Sequence, residues 1–290
     1  TADPVLQLEQ ATAAAPIPPR PADLLTRVMT FNVRFDNPED GPDSWPYRVD
    51  DVAELVVTYQ PAILGLQEAL ANQVHQLQHR LAAHKYQWVG VGRNDGRASG
   101  EFCPIFYNTD LVRLEDWGVF WLSPTPDQPG SRHPDVRLPR LCTWAKLARC
   151  SGPSAERPFF AFNVHFDHEA ESARVFSAKL MLERISQIAG LFPSILLGDL
   201  NCERRDAPYA ELTSSYLRDT FVEGPQPGDD SPTFTGFDVY SDDSTAVTID
   251  YIFVSGFDVA GYKVPRERRR NGRRISDHRA VVVDLLRHVD

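Results

Sequence analysis

The sequence predicts an α/β fold, a four-layer α/β sandwich in which two packed mixed β-sheets are flanked by helices. Three observations lead there. Short apolar runs of strand length outnumber stretches of helical periodicity by about ten to four, which is too strand-rich for a single doubly wound sheet. The two kinds alternate along the chain instead of forming separate blocks. No Ser-rich linker divides them, so residues 25–290 are expected to form one domain.

Residues 1–24 are set apart. The stretch 11–22, ATAAAPIPPRPA, has little to pack and reads as an Ala/Pro-rich tail or tether. There is no initiator Met and no charged region followed by an apolar core. That start suits an exported protein, periplasmic or secreted, whose signal peptide has been removed, a cytoplasmic protein being the alternative. The first strand-like run is Val28–Phe35, followed by helical spacing over Val49–Tyr59, a strand at Ala62–Gln67 and a helix at Ala71–Ala83. Five strand-like runs come next: Trp88–Gly92, Pro104–Tyr107, Gly118–Leu122, Cys142–Ala148 and Phe159–Phe166. The helix expected at Glu171–Ala189 places Val175, Ala178, Leu182, Ile185 and Ala189 on one stripe for packing. A strand at Ile195–Leu197, a short helix at Pro208–Ser214 and strands at Thr248–Val254 and Ala280–Leu286 complete the pattern.

Composition narrows the function classes. With 42% hydrophobic, 24% charged and 10% aromatic residues spread along the chain, disorder is excluded. No apolar run approaches the ~20 residues of a transmembrane helix. The net charge of −10 disfavours a protein that grips nucleic acid mainly through its phosphates. Cys103, Cys142, Cys150 and Cys202 show no C-x-x-C spacing, which argues against a structural zinc site and a dense disulfide framework and leaves one or two bridges open.

The informative polar residues stand at strand ends. Asn32 interrupts Met29-Thr30-Phe31-Asn32-Val33, Glu68 closes Leu64–Gln67, and His165, Asp167 and His168 follow Phe162-Asn163-Val164. Asp199 and Asn201 close Leu196-Leu197-Gly198, Asp250 sits in Thr248–Phe253, and Asp277-His278 precedes the last strand. Any one of these is an ordinary turn residue or cap. Together they offer carboxylate and amide oxygens without thiolates, which suits a hard cation such as Mg²⁺ or Mn²⁺, and imidazoles beside carboxylates, which suit acid–base work. The combination points to metal-assisted hydrolysis of a phosphoester. His165-Phe166-Asp167-His168 also admits a zinc reading, although alternation puts only His165 and Asp167 on one strand face.

The tags Thr30-Phe31-Asn32-Val33, Leu66-Gln67-Glu68, Gly198-Asp199-Leu200-Asn201, Ile249-Asp250-Tyr251-Ile252 and Ser276-Asp277-His278 resemble, in order and approximate spacing, the endonuclease/exonuclease/phosphatase superfamily. The resemblance covers residues 27–287 and implies a deoxyribonuclease I-like fold. It implies Glu68 as the principal metal carboxylate, with Asn32 beside it and Asp277 available to a metal. Asp199 would orient or deprotonate the attacking water, and Asn201 would contact phosphate oxygens. His278, oriented by Asp250, would stabilise the pentacovalent transition state. His165 resembles a second catalytic histidine, with Glu101 as its carboxylate partner. A closer likeness, carried by Asp36–Gly41, Gly92–Gly96, Gly100-Glu101, Cys142–Lys146 and His165–His168, is to a bacterial branch of predicted hydrolases. In this sequence Leu200 stands where that pattern more often has Phe.

For the substrate, Arg93, Asn94, Arg140, Asp167 and His168 are candidate contacts. Residues 266–274, RERRRNGRR, form a basic loop that ends two residues before Ser276 and reads as a solvated hairpin tip or as a clasp in which Arg269 and Arg270 would hold an additional phosphate. Trp45, Tyr47 and Trp121 could stack on a sugar or base, although aromatic residues near loops are more often packing anchors. The expected partner is a phosphorylated small molecule or head group such as a sugar or inositol phosphate, with a nuclease and a non-catalytic phosphate-binding module as the alternatives. Oligomeric state is not readable.

Overall fold

The alternation of the first strand shows how the layers arise. In β1 (Leu25–Asn32), Val28 faces one way while Met29 and Phe31 face the other, and all three are fully buried, so apolar layers cover both faces of this strand. The computed structural model describes residues 25–152, 157–225, 228–238 and 245–287. The tail or tether read at 1–24 lies outside them.

The remaining elements are α1 (Val49–Tyr59), β2 (Ile63–Gln67), α2 (Ala71–Leu81), β3 (Tyr86–Val89), β4 (Ile105–Asn108), β5 (Val112–Trp121), β6 (Leu141–Arg149) and β7 (Phe159–His165). There follow α3 (Glu171–Ala189), β8 (Ser194–Asp199), α4 (Ala207–Thr213), β9 (Arg218–Asp219), α5 (Thr220–Glu223), β10 (Asp250–Ser255), β11 (Phe257–Lys263) and β12 (Val281–Arg287). One six-stranded sheet has the order β11-β12-β1-β2-β4-β3 and the other β5-β6-β7-β8-β10-β9. Each is mixed, with a single parallel pair, β1 with β2 and β7 with β8. Parallel neighbours need a crossover, and α1 and α3 supply it.

Three apolar layers hold the sandwich. Val52, Val56, Val74 and Leu77 of α1 and α2 pack on Met29, Phe31, Leu64 and Leu66. Val28, Ile63 and Val283 of the first sheet meet Ala161, Ile195, Leu197 and Ile252 of the second. Ala178, Met181, Ile185 and Leu212 of α3 and α4 cover Phe160, Phe162, Leu196 and Phe253. The sheets approach so closely that a Cβ on Gly65 would lie 2.5 Å from Leu197 Cδ1 and 2.8 Å from Asn163 Cγ.

The four-layer sandwich is the architecture expected, with differences at the edges. β1 ends at Asn32 instead of Phe35 because Arg34 turns into the left-handed region at φ 57°. β5 begins at Val112, its charged Arg113, Glu115 and Asp116 having masked an edge strand. β9 and β11 are not expected from the sequence: β9 has two residues, and β11 is an edge strand in which Phe257 alone is fully buried. The buried stripe of α3 runs through Ala173, Ser177, Ala178, Met181, Ile185 and Ala189, leaving Val175 and Leu182 half-buried. All four cysteines are free thiols. Among the described residues no helix is long and apolar enough to cross a membrane.

Candidate active site

Strand parity builds the site. Thr30 and Asn32 continue the face of Val28, Asp199 that of Ile195 and Leu197, His165 that of Ala161, and Asp250 that of Ile252. Those apolar residues line the space between the sheets, so the polar residues at the strand ends converge at its rim. Beneath them, Gln67 Nε2 donates to Thr30 Oγ1 and Asn163 Oδ1, and Asn163 Nδ2 donates to the carbonyls of Leu66 and Pro104. This buried amide network ties the sheets together under the site. Only the pairing of strands across the sandwich reveals its role.

Asn32 Nδ2 donates to Glu68 Oε1 at 3.0 Å and Asp199 Oδ2 at 2.9 Å, while its oxygen accepts the Arg34 amide. His278 Nδ1 lies 2.9 Å from Asp250 Oδ2, and its Nε2 lies 3.8 Å from Asp199 Oδ2. His165 Nε2 lies 3.6 Å from that same oxygen and 3.0 Å from Asn201 Nδ2. Ser276 Oγ donates to Asn32 O at 2.8 Å and so ties the Asp277-His278 turn to β1. Glu68, Asp199, His165, Asn201, Asp277 and His278 line a cleft of about 440 Å³. Arg34, Glu68 and Asn201 all line it, with φ of 57°, 62° and 47°. Backbone held there by non-glycine residues costs of order 1–3 kcal/mol each and needs surrounding structure to over-determine it.

Electrostatics separates the roles. Burial and the nearby Asp250 charge push the Asp199 carboxyl up to about 7. Burial, with Glu68 adding to it, also raises Asp277. For His278, burial works against the charged ring, but Asp250, Asp199 and Asp277 overcome it and raise the imidazolium to about 10. His165 moves the opposite way, held neutral by burial and by the Arg140 and Arg93 charges. Its Nε2 accepts from Asn201, which leaves the proton on Nδ1, where no hydrogen-bond partner is present among the described residues.

The cleft contains Glu68, Asp277, Asp199, Asn201, His278, His165, Glu101, Arg93, Arg140 and His168. Asn32 and Asp250 lie just behind it, fully buried. Glu101 sits 3.9 Å from His165 Nδ1, beyond hydrogen-bond reach, and instead receives two hydrogen bonds from Arg93 at 2.6 and 2.8 Å. Asn201 turns its amide to Phe166 O and His165. Asp167 accepts the Glu169 and Ala170 amides, ordering the start of α3 with Oδ2 3.6 Å from Arg140. His168 contacts the Arg140 guanidinium at 2.9 Å, an environment that repels a zinc ion.

Several expected substrate contacts are elsewhere. Asn94 is exposed and shapes the 92–100 turn through Ser99. Arg269 is buried on Asp43 and on the carbonyls of Pro42 and Tyr47. Arg270 is exposed beside Asp51 and Glu54 of α1. The basic loop is therefore a docked hairpin, with no residue of 266–274 lining the cleft. Trp45 and Trp121 are buried and donate to Gln76 and Arg93 O, and Tyr47 is exposed away from the cleft. The structure adds Arg34, Phe35, Leu138, Phe234 and Ile249 to the walls. Of these, Phe234 carries the clearest sequence signal, an aromatic residue between two threonines in a loop, and its ring lies 4.9 Å from that of His278.

Residues 29–278 match the Endonuclease/Exonuclease/phosphatase family. The chain belongs to that family. Members are generally hydrolases of phosphoesters and usually depend on a divalent metal. An endonuclease/exonuclease/phosphatase from Bacteroides vulgatus is 32% identical with a TM-score of 0.85, over 92% of this chain and 100% of that one. A mannosyl-6-phosphatase from Bacteroides thetaiotaomicron is 33% identical with a TM-score of 0.79, over 90% and 99%. The human Nocturnin catalytic domain, at 19% identity and a TM-score of 0.70 over 91% and 94%, shares the fold. A curated relative, the uncharacterised protein L388 of Acanthamoeba polyphaga mimivirus, is 28% identical over 165 residues, 55% of this chain and 60% of the viral protein's length.

The donor set fits the family's metal. Glu68, Asp199 and His278 present ligand atoms within 4.8 Å of one another. His278 engages Asp250 through Nδ1 at 2.9 Å, and its Nε2 faces Asp199. The oxygens of Glu68 and Asp277, with Asn32 spacing Glu68 from Asp199, are the donors a hard cation takes. Burial first, and then the neighbouring Asp250 and Glu68 charges, raise the Asp199 and Asp277 carboxyls, and a bound cation favours their charged forms.

Proposed function

We propose that this protein is a divalent-metal-dependent phosphoesterase. Water attacks phosphorus in line, and the substrate is small or exposed, such as a sugar or inositol phosphate or a phosphodiester head group. The observation that carries this reading is Asp199, buried between the two histidines with a carboxyl near neutrality, the condition a general base needs at physiological pH.

Mg²⁺ or Mn²⁺ held by Glu68 and Asp277 would supply neutralisation of charge on the phosphate oxygens. The protein's own groups do the rest. Asp199 takes the proton of the attacking water. Asn201 N donates to Asp199 Oδ1 at 2.9 Å and Asn32 to Oδ2, which fixes the carboxylate. His278, kept charged by Asp250, donates toward the oxygens on which negative charge develops. His165, neutral, orients Asn201. Leu138 and Phe234, both exposed at the cleft, give the leaving group an apolar surface. The likeness to the Bacteroides mannosyl-6-phosphatase favours a phosphorylated sugar. The net charge of −10 and the docking of the arginine hairpin away from the cleft disfavour a nucleic-acid duplex as substrate.

The test uses EDTA-stripped protein with Mg²⁺ or Mn²⁺ restored, assayed on p-nitrophenyl phosphate, bis-p-nitrophenyl phosphate, mannose 6-phosphate and a short DNA duplex. Metal-restored turnover of a small ester that falls at least about 10³-fold in Asp199→Asn is expected. Preference for the duplex, or unchanged turnover in Asp199→Asn, would overturn the reading.

A further inference from the structure

Arg48 is a fully buried arginine that no step of the proposed reaction uses. It stands at the N-terminus of α1, with the Trp45 and Phe237 rings 5.5 and 5.2 Å from its guanidinium carbon. Burial lowers the group to about 10, which leaves it charged at pH 7.5. A buried charge is costly unless hydrogen bonds satisfy it, and here the acceptors are backbone carbonyls of separate segments. Nε donates to Asp43 O, Nη1 to Val33 O at 2.8 Å and Ile275 O at 3.0 Å, and Nη2 to Arg34 O at 3.3 Å. A planar fork with donors in fixed directions spans such a set, which the single nitrogen of a lysine cannot. Val33 follows Asn32, and Ile275 lies two residues before Asp277, so Nη1 joins two segments that carry residues of the metal site. A second fully buried side chain, Gln73, reaches the same turn: Nε2 donates to Arg34 O at 2.9 Å, while Oε1 accepts the amides of Asp36 and Leu70. These bonds hold Arg34 at φ 57°. The turn so held aims Arg34 N at Asn32 Oδ1 and Phe35 N at Glu68 Oε2.

We propose that Arg48, with Gln73, is the positioning residue of the metal site: it fixes the separation of Glu68 and Asp277 and thereby sets the affinity for the divalent cation. This assignment rests on the phosphoesterase reading and goes beyond it, because it places part of the metal affinity on residues that line no part of the cleft. A hard cation takes its oxygens at narrow distances, Mg²⁺ most strictly, so a carboxylate that drifts is a poorer ligand. Groups that orient metal ligands are worth about 10- to 100-fold in affinity. The Ser276 hydroxyl on Asn32 O joins the same two segments, so loss of the fork weakens the site without abolishing it. Charge alone predicts the reverse. Arg48 and Asp277 are close enough for each charge to act on the other, and a positive neighbour repels a cation.

The experiment is calorimetry of Mn²⁺ binding to the EDTA-stripped protein at pH 7.5, in wild type, Arg48→Lys, Gln73→Leu and Arg269→Met. Each is measured at a temperature where circular dichroism shows it folded. Arg48→Lys keeps the charge and loses the fork, and its Mn²⁺ binding is expected to weaken about 10- to 100-fold. Gln73→Leu is expected to weaken binding in the same direction, and it decides the question if Arg48→Lys does not fold. Arg269→Met loosens the hairpin at Asp43 and the carbonyls of Pro42 and Tyr47, leaving the bonds to residues 33, 34 and 275 in place. It is expected to keep the wild-type dissociation constant. Unchanged or tighter Mn²⁺ binding in Arg48→Lys, or in Gln73→Leu where Arg48→Lys does not fold, overturns the proposal. An equal loss in Arg269→Met also overturns it, since the cause is then a general loosening of the fold. A wild type that binds no Mn²⁺ refutes the metal site and the phosphoesterase reading with it, a result distinct from variants that bind as tightly as a metal-binding wild type.

Discussion

Replacing Asp250 with Asn tests the arrangement of His278 more sharply than any deletion of the ring, because shape and burial are kept and only one charge goes. Asp250 is fully buried and accepts His278 Nδ1 at 2.9 Å. Burial alone lowers the imidazole, and it is Asp250 first, then Asp199 and Asp277, that lifts it to about 10. A cation at Glu68 and Asp277 pulls this value down, so the wild-type activity limb falls somewhat below that figure. Without the Asp250 charge, burial pulls His278 down against Asp199 and Asp277 alone. A return to its ordinary value near 6.5 would leave about one-tenth of it protonated at pH 7.5. The weakened, differently oriented ring also forfeits a charge-assisted hydrogen bond, about 1.5–3 kcal/mol or 10- to 100-fold. Together the two effects lower kcat/KM at pH 7.5 by about 10²- to 10³-fold, with part of the loss recovered on going to pH 6. The assay is the pH profile of kcat/KM for the metal-loaded enzyme on a chromogenic phosphoester. An Asp250→Asn profile with the wild-type limbs, whatever its height, refutes the claim that Asp250 sets the charge of His278.

Three other outcomes are expected. Between pH 6.5 and 9 the metal-free protein should lose stability as pH rises, because the native values of Asp199 (about 7) and His278 (about 10) lie above their unfolded ones, so the native state holds those protons longer. The stabilisation by added Mg²⁺ or Mn²⁺ should correspondingly grow with pH, and equal increments in melting temperature at pH 6.5 and 9 would contradict it. Asp43→Asn removes the buried partner of both Arg269 and Arg273 and should cost about 3–5 kcal/mol in urea unfolding, whereas a surface-like loss under 1 kcal/mol would mean that the hairpin is not docked. Gly65→Ala, with Leu197 Cδ1 only 2.5 Å from the new Cβ, should destabilise by about 1–3 kcal/mol and lower kcat more than KM, since the sheets part beneath the site. A neutral result in thermal and kinetic assays would discard the close contact.

What the sequence determined by itself was everything carried by contiguous residues. The spans of α1 and α3 follow from a period that each helix contains within itself, whereas the strands expected to end at Phe35, Phe166 and Leu197 end at Asn32, His165 and Asp199. Because side chains alternate along a strand, Asn32, His165 and Asp199 had to continue the faces of Val28, Ala161 and Ile195. Only the tertiary structure decided which faces meet. Whether Arg269 reaches a phosphate or Asp43, 226 residues away, depends on where two loops dock, and no local pattern encodes that. The same holds for Glu101, held by Arg93 rather than by His165, and for Asn163 with Gln67 binding the sheets from within. Phe234 and Leu138 become a substrate surface because the folded chain leaves them exposed at the cleft. Buried charges take whichever partner the packing brings within a few ångströms. The chemistry available was therefore set residue by residue along the chain, and its assignment to base, donor, metal ligand or structural strut was set by the closing of one sheet on the other.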